Sequence, residues 1–174
     1  MSELALLTEY PVKDLLRLDP NETVEQHITV QPGLFKTLTT VELASPLEVT
    51  ILFDRTTLGL LGRFSATAKV KLECSKCLTP IESTIEGALE SEFVHDASPD
   101  EELYPIAKNQ HIDISQCIID TIVPAIPPFP LCRANCQGLC QVCGQNLNDH
   151  PNHLKEHPDH HSQKSNLANT PRIK

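Results

Sequence analysis

Between Cys132 and His153 the chain reads CRANCQGLCQVCGQNLNDHPNH, and this stretch carries most of the chemistry the sequence can offer. Four cysteines fall within twelve residues, and five histidines run from His150 to His161. Cys140 and Cys143 form a C-x2-C with Gly144 directly behind. Two thiolates at that spacing can share one tetrahedral ion, and a glycine allows the positive φ that turns backbone N–H groups back toward sulfur. A second C-x2-C, Cys74 and Cys77, stands far upstream in CSKCL. Two such pairs separated by a long insert point to metal, with zinc as the fitting ion and one or two ions per chain. The competing uses are a thiol redox pair and plain buried thiols. Cys117, the seventh cysteine, sits in an apolar helical pattern, where core packing suits it.

Composition bounds what can surround these residues. A chain of 174 residues has room for one domain and an appendage. Fourteen prolines, no tryptophan and only seven aromatic rings describe a modest core built on Leu, Ile and Val. The N-terminal MSELALLTEYPVKDLL has early acids and no long apolar run, so neither a secretory signal nor a membrane span is expected. A cytoplasmic setting follows, and its reducing conditions leave the thiols available to metal. The net charge of −9 is unevenly placed: residues 131–174 hold 5 basic and 3 acidic side chains, and the acidic excess lies upstream. Such a body repels phosphate backbones at long range, so any contact with nucleic acid must be local.

Taken in order, Pro11 to Leu18 has the spacing of a short helix that begins on a first-turn proline, and Val24 to Val30 reads as a strand ended by Pro32 and Gly33. From Leu38 to Phe93 the period becomes two. Leu47, Val49, Ile51 and Phe53 share one face of a strand. Phe64, Ala66, Ala68, Val70, Leu72 and Cys74 share one face of the next, opposite Arg63, Ser65, Thr67, Lys69 and Lys71. A third runs from Ile81 to Phe93 with Glu82, Glu86, Glu90 and Glu92 on its polar face. CSKC joins the last two, so a hairpin with Cys74 and Cys77 at its tip is predicted.

The polar side of this hairpin holds the densest basic group in the chain, Arg63, Lys69, Lys71 and Lys76. These are the candidates for contact with RNA. The bland alternative is neutralisation by acids on neighbouring strands, Glu82 facing Lys69 for example, in pairs worth about 0.2 to 1 kcal/mol. Residues 94–111 read as an acidic loop. Asp113 can cap a helix over about 113–123, and Pro124 ends it. PAIPPFPLC follows as a stiff extended strut that delivers Cys132 to a fixed place. The predicted fold is therefore α+β and mainly β. An antiparallel β-rich body with one or two short helices fills 1–130, a zinc-knuckle-like cysteine segment fills 131–150, and a His-rich flexible tail runs over 151–174.

Three blocks, CSKCLTPIESTIEGALESEF, IDISQCIIDTIVPAIPPFPLC and CQGLCQVCGQNLN, in this order and at these separations, resemble the YceD family of large ribosomal RNA subunit accumulation proteins. The similarity covers about residues 40–150. It implies a bacterial, cytoplasmic, non-catalytic factor in ribosome assembly, with large-subunit rRNA or a ribosomal protein as partner. It also implies that Cys132 and Cys136 complete a first metal site with Cys74 and Cys77. Cys140 and Cys143 then need a second pair, and where such family members continue into further cysteines this chain has His150, His153 and His157. A single site made of Cys136, Cys140, Cys143 and one of Cys132 or His153 is the other arrangement.

The sequence has no nucleophile elbow, H-E-x-x-H or phosphate loop, and no small-molecule substrate is expected. Three classes of function remain: an assembly factor that binds RNA or a ribosomal protein, a zinc-stabilised module for protein partners, and a thiol redox protein.

Overall fold

The computed structural model describes residues 7–20, 22–38, 41–95 and 103–159. The acidic run 96–102 and the tail from His160 onward, His161 included, lie outside the described residues. Contacts divide the chain into two compact units, residues 1–72 with 82–128 and residues 73–81 with 129–174.

The first unit is built on a sheet of six described strands. They are β2 (Thr23–Val30), β3 (Glu42–Leu43), β4 (Leu47–Arg55), β5 (Gly59–Glu73), β6 (Pro80–Val94) and β7 (Tyr104–Pro105). The order is β2-β4-β5-β6-β7, with β3 also on β5. Pairing is antiparallel from β2 to β4 (Val24↔Phe53), from β4 to β5 (Ile51↔Phe64) and from β3 to β5 (Glu42↔Lys71). β7 joins β6 in parallel. The fold is mainly β with a few short helices, and its sheet is antiparallel apart from that edge.

The alternation read from the sequence sets which side chains are buried. On β4, Leu47, Val49, Ile51 and Phe53 are buried, and on β5 Phe64, Ala66, Ala68 and Val70 are. The residues between them on β5, Arg63 to Lys71, are exposed. Phe53, Phe64 and Phe93 pack with ring centroids 6.3 to 6.4 Å apart, and Tyr104 stands 5.5 Å from Phe93. Tilted and edge-on ring pairs of this kind add about 0.5–1.5 kcal/mol each beyond the area they bury.

Helix α2 (Ser115–Ile122) has Ile114, not Asp113, at its N-cap, and Asp113 acts one residue earlier. Asp113 accepts hydrogen bonds from the Ser115 N–H (2.8 Å) and hydroxyl (2.5 Å), which satisfies an amide at the helix start. It buries Cys117, Ile118, Thr121 and Ile122 and continues into a 3-10 turn, Val123–Ala125, that absorbs Pro124. A Cβ at Gly87 would lie 1.8 Å from the Thr121 carbonyl oxygen, so α2 reaches β6 only because position 87 has no side chain.

Two local expectations fail here. Pro32 and Gly33 do not only end β2, because Pro32 is the first residue of helix α1 (Pro32–Leu38). Proline at the first helical position lacks only an N–H that would be unpaired anyway, and Phe35 on the next turn is fully buried. The helix expected over Pro11 to Leu18 shrinks to a 3-10 turn, Leu15–Arg17. The Tyr10–Pro11 pair instead forms strand β1, antiparallel to β8 (His111–Ile112), and proline is tolerated there at a strand edge.

Candidate metal centre

The second unit starts where β5 runs out. At the CSKC turn the Cys74 N–H donates to the Thr79 carbonyl (3.0 Å) and the Leu78 N–H to the Cys74 carbonyl (2.9 Å), with Leu78 at φ 58. The proline strut arrives at this turn. The Pro130 carbonyl accepts from the Ser75 N–H at 2.8 Å and the Ser75 hydroxyl at 3.0 Å, and the Leu139 N–H donates to the Lys76 carbonyl at 3.1 Å. Backbone pairing therefore brings the two distant cysteine clusters together.

Cys74, Cys77, Cys132 and Cys136 place their four sulfurs within 4.8 Å of one another. Cys74 Sγ lies 3.8 Å from Cys136 Sγ, and Cys77 Sγ lies 3.6 Å from Cys132 Sγ. A disulfide would hold its sulfurs at about 2.05 Å. A tetrahedral ion with metal–sulfur bonds of about 2.3 Å sets its sulfurs about 3.8 Å apart, so the spacing fits four thiolates around one ion. All four thiols are free.

The electrostatics favour thiolate at Cys74 and Cys136. Burial works to raise the Cys74 thiol, but backbone N–H groups of Cys132, Lys76 and Cys77 point at its sulfur and hold its pKa below the ordinary value. Cys136 is lowered chiefly by the Asn148 side chain, whose Nδ2 donates to its sulfur at 3.3 Å. Desolvation and the neighbouring thiols push Cys132 the other way. Four sulfurs this close cannot all ionise without a cation among them, which a divalent ion supplies.

A second group lies further along. Cys140, Cys143 and His153 also place their donor atoms within 4.8 Å of one another, with Cys143 Sγ 3.3 Å from His153 Nε2. The Gly144 N–H donates to the Cys140 carbonyl and the Cys140 N–H to the Gln145 carbonyl, both at 2.8 Å. Gly144 stands at φ +74, the conformation its place after C-x2-C predicts. The N–H groups of Cys143 and Val142 turn toward the Cys140 sulfur and lower that thiol's pKa. His153 is buried, at the start of α3 (His153–Glu156), whereas His150 is exposed and outside the group.

The cysteine-rich segment has little else to fold around. Its apolar cluster consists of Cys74, Cys77 and Cys136 with Leu139 packed against them, and Leu78, Phe129 and Val142 are exposed. A segment that buries so little apolar surface is of the kind that a bound ion stabilises, and its cysteine groups could hold one.

The basic candidates divide. Arg63 pairs with Asp54 of β4 at 2.6 Å, and Lys71 pairs with Glu42 of β3 at 2.9 Å. Both acids come from the strands on the other side of β5, not from the glutamates of β6. The hydrogen bond and charge of Lys71 lower the Glu42 pKa. Lys69 and Lys76 form no ion pair among the described residues, and Lys76 lines a polar groove with Ser75, Asn135, Gln137 and Gln141.

Sequence reasoning gave Asn148 no role, yet it joins several parts of this segment. Its Oδ1 accepts from Arg133 Nη2 (2.7 Å) and the Gln137 N–H (2.9 Å), while its Nδ2 serves Cys136 and Asn146. The one signal was its place in QNLN, behind the second C-x2-C.

The sequence model of the family described as large ribosomal RNA subunit accumulation protein YceD matches residues 62–169. The chain belongs to the YceD family. An uncharacterized protein of Mycobacterium tuberculosis is 29% identical over 157 residues, 84% of this chain and 75% of that protein. One from Mycobacterium leprae is 28% identical over 127 residues, 70% of this chain and 58% of its own length. A maize chloroplast protein, described as large ribosomal RNA subunit accumulation protein YCED homolog 1, is 45% identical over 49 residues, 28% of this chain and 17% of that protein. No solved structure matches. The family is named for RNA accumulation, which ties its role to the large ribosomal subunit. Among the described residues no helix is long and apolar enough to cross a membrane.

Proposed function

We propose that the protein is a bacterial cytoplasmic, non-catalytic factor that promotes accumulation of large-subunit ribosomal RNA by binding rRNA, a ribosomal protein, or both. The observation that carries this reading is the family match over residues 62–169, which takes in both cysteine clusters. Zinc is the ion proposed for Cys74, Cys77, Cys132 and Cys136, because four thiolates leave no open position for a substrate and mark a structural site. The ion fixes the CSKC turn against the segment after the strut, and the groove beside Lys76 becomes a rigid polar surface. Within an acidic protein, Lys69 and Lys76 are the two of the four basic candidates that form no ion pair among the described residues and so can meet RNA phosphate.

The deciding experiment removes the protein from its source bacterium and follows subunit sedimentation and rRNA levels. A deficit of large-subunit rRNA with small-subunit rRNA spared is expected. Normal levels of both, with no redundant factor present, would reject the reading in favour of a zinc-stabilised module for protein partners. The exposed Phe129 and Leu78 are what favour that second reading. A redox role fits poorly, since Cys74 and Cys77 are buried and share their site with two further thiols.

A further inference from the structure

We infer that Cys140, Cys143, His153 and His157 form a second, self-contained zinc site, with His157 and not His150 as the fourth ligand. The inference rests on the zinc reading above and extends it to a different set of residues. Three of the four donors are already together, since Cys140, Cys143 and His153 lie within 4.8 Å of one another. A tetrahedral ion with ordinary zinc–sulfur and zinc–nitrogen bonds separates a sulfur from a nitrogen ligand by about 3.6 Å, and Cys143 Sγ stands 3.3 Å from His153 Nε2. The coordination is incomplete with three ligands, and a structural site closes with four.

His157 is the residue placed to close it. The His157 N–H donates to the His153 carbonyl at 3.0 Å, so the helical turn of α3 stacks position 157 above position 153. The two rings have centroids 4.8 Å apart at 43°. Two imidazoles bound to one tetrahedral ion hold their ring centres roughly 5 Å apart, so the pair already has the separation that shared ligation requires. The spacing agrees, because C-x2-C followed by H-x3-H presents two thiolates from a knuckle and two imidazoles from one helix face. Completing the site takes a turn of the exposed His157 imidazole about its own side-chain bonds. His150 lies three residues before His153, and its part in the turn is made by its carbonyl, which accepts from the His153 N–H at 3.0 Å. The two sites also differ in how they are assembled. The cysteine-only group gathers ligands from two distant segments, whereas all four of these come from one continuous stretch, 140–157.

The test uses the full chain, counted for zinc by native mass spectrometry and titrated with cobalt(II) as a spectroscopic probe. Two ions are expected in the parent protein. His157→Ala should weaken the second ion at least tenfold and shift the ligand-field bands of bound cobalt, as one nitrogen is lost. His150→Ala and the double variant His160→Ala/His161→Ala should keep two ions and the parent spectrum. The first ion, which depends on Cys74, should stay bound in each variant and shows that the protein has folded. His157→Ala with two ions at parent affinity and an unchanged cobalt spectrum overturns the assignment, as does loss of the second ion in either control variant. A parent protein that binds one ion, lost in Cys74→Ser, also overturns it and leaves the first site standing. Binding of no ion would reject both.

Discussion

Asn148 connects Arg133, Gln137, Asn146 and the Cys136 sulfur through one side-chain amide. Outer groups of this kind orient a ligand and set its basicity, and their loss typically costs about 10–100-fold in metal affinity. Asn148→Ala should weaken the cysteine-only site by that factor in competition with a chromophoric chelator, while Asn146→Ala, one contact further out, should do less. Cys117 was legible from the sequence as a core thiol, and its burial, foremost among the causes, pushes its pKa from 9.0 up to about 12. In the unfolded chain the same thiol ionises near its ordinary value, so the unfolded state loses its proton first as pH rises. Cys117 is thus neutral in stability below about 9 and increasingly favours unfolding between there and about 12. Urea unfolding across this range should show falling stability, with a shallower fall in Cys117→Ala. Tyr104 is raised by burial in the same sense and accounts for part of the slope that remains.

At the scale of elements, the reliable signals were those with a strict period or a strict spacing. The period of two in β4, β5 and β6 follows from side chains that alternate across a sheet with one buried face, and the C-x2-C turns follow from how a tetrahedral ion is held. Helix α1 was missed because Pro32 and Gly33 are ordinary loop residues, and only the burial of Phe35 shows that the chain turns inward there. The approach of α2 to β6 was equally unreadable, since nothing local distinguishes Gly87 from a glycine that merely weakens a strand. Gly87→Ala should force α2 away from the sheet and destabilise the first unit by roughly 1–3 kcal/mol, measured as a fall in its thermal midpoint. Charge reversal on β5 should separate pairing from contact. Lys71→Glu breaks the pair with Glu42 and sets two carboxylates side by side, so a small loss of stability is expected, one that shrinks as salt is added. Lys69→Glu and Lys76→Glu should leave stability unchanged and lower crosslinking to large-subunit rRNA.

Across the whole molecule, the two units are held together internally by different means. The first buries more than twenty apolar side chains, and among the described residues the second buries four cysteines, His153 and little else. Chelation should therefore raise hydrogen exchange in residues 131–150 and in the CSKC turn, with the core strands β4 and β5 protected as before. Equal protection with and without chelator would mean that the cysteine-rich segment folds without an ion. The composition announced this imbalance, with seven aromatic rings against fourteen prolines. It could not show that CSKC belongs to the same compact unit as the C-terminal cysteines, because that depends on the amide pairings of Ser75 with Pro130 and of Leu139 with Lys76.

The separation of Cys77 from Cys132, 55 residues, has a consequence during synthesis. At translation rates of about 5–20 residues per second, the first thiol pair is made roughly three to eleven seconds before its partners. Through that interval the nascent chain carries a half-built binding site that can hold an ion only weakly and is open to oxidants. The stretch from Cys140 to His157 is made almost in one piece and has no such wait. With zinc at the proposed sites, a newborn chain is most sensitive to zinc supply and peroxide at the cluster whose ligands are made first.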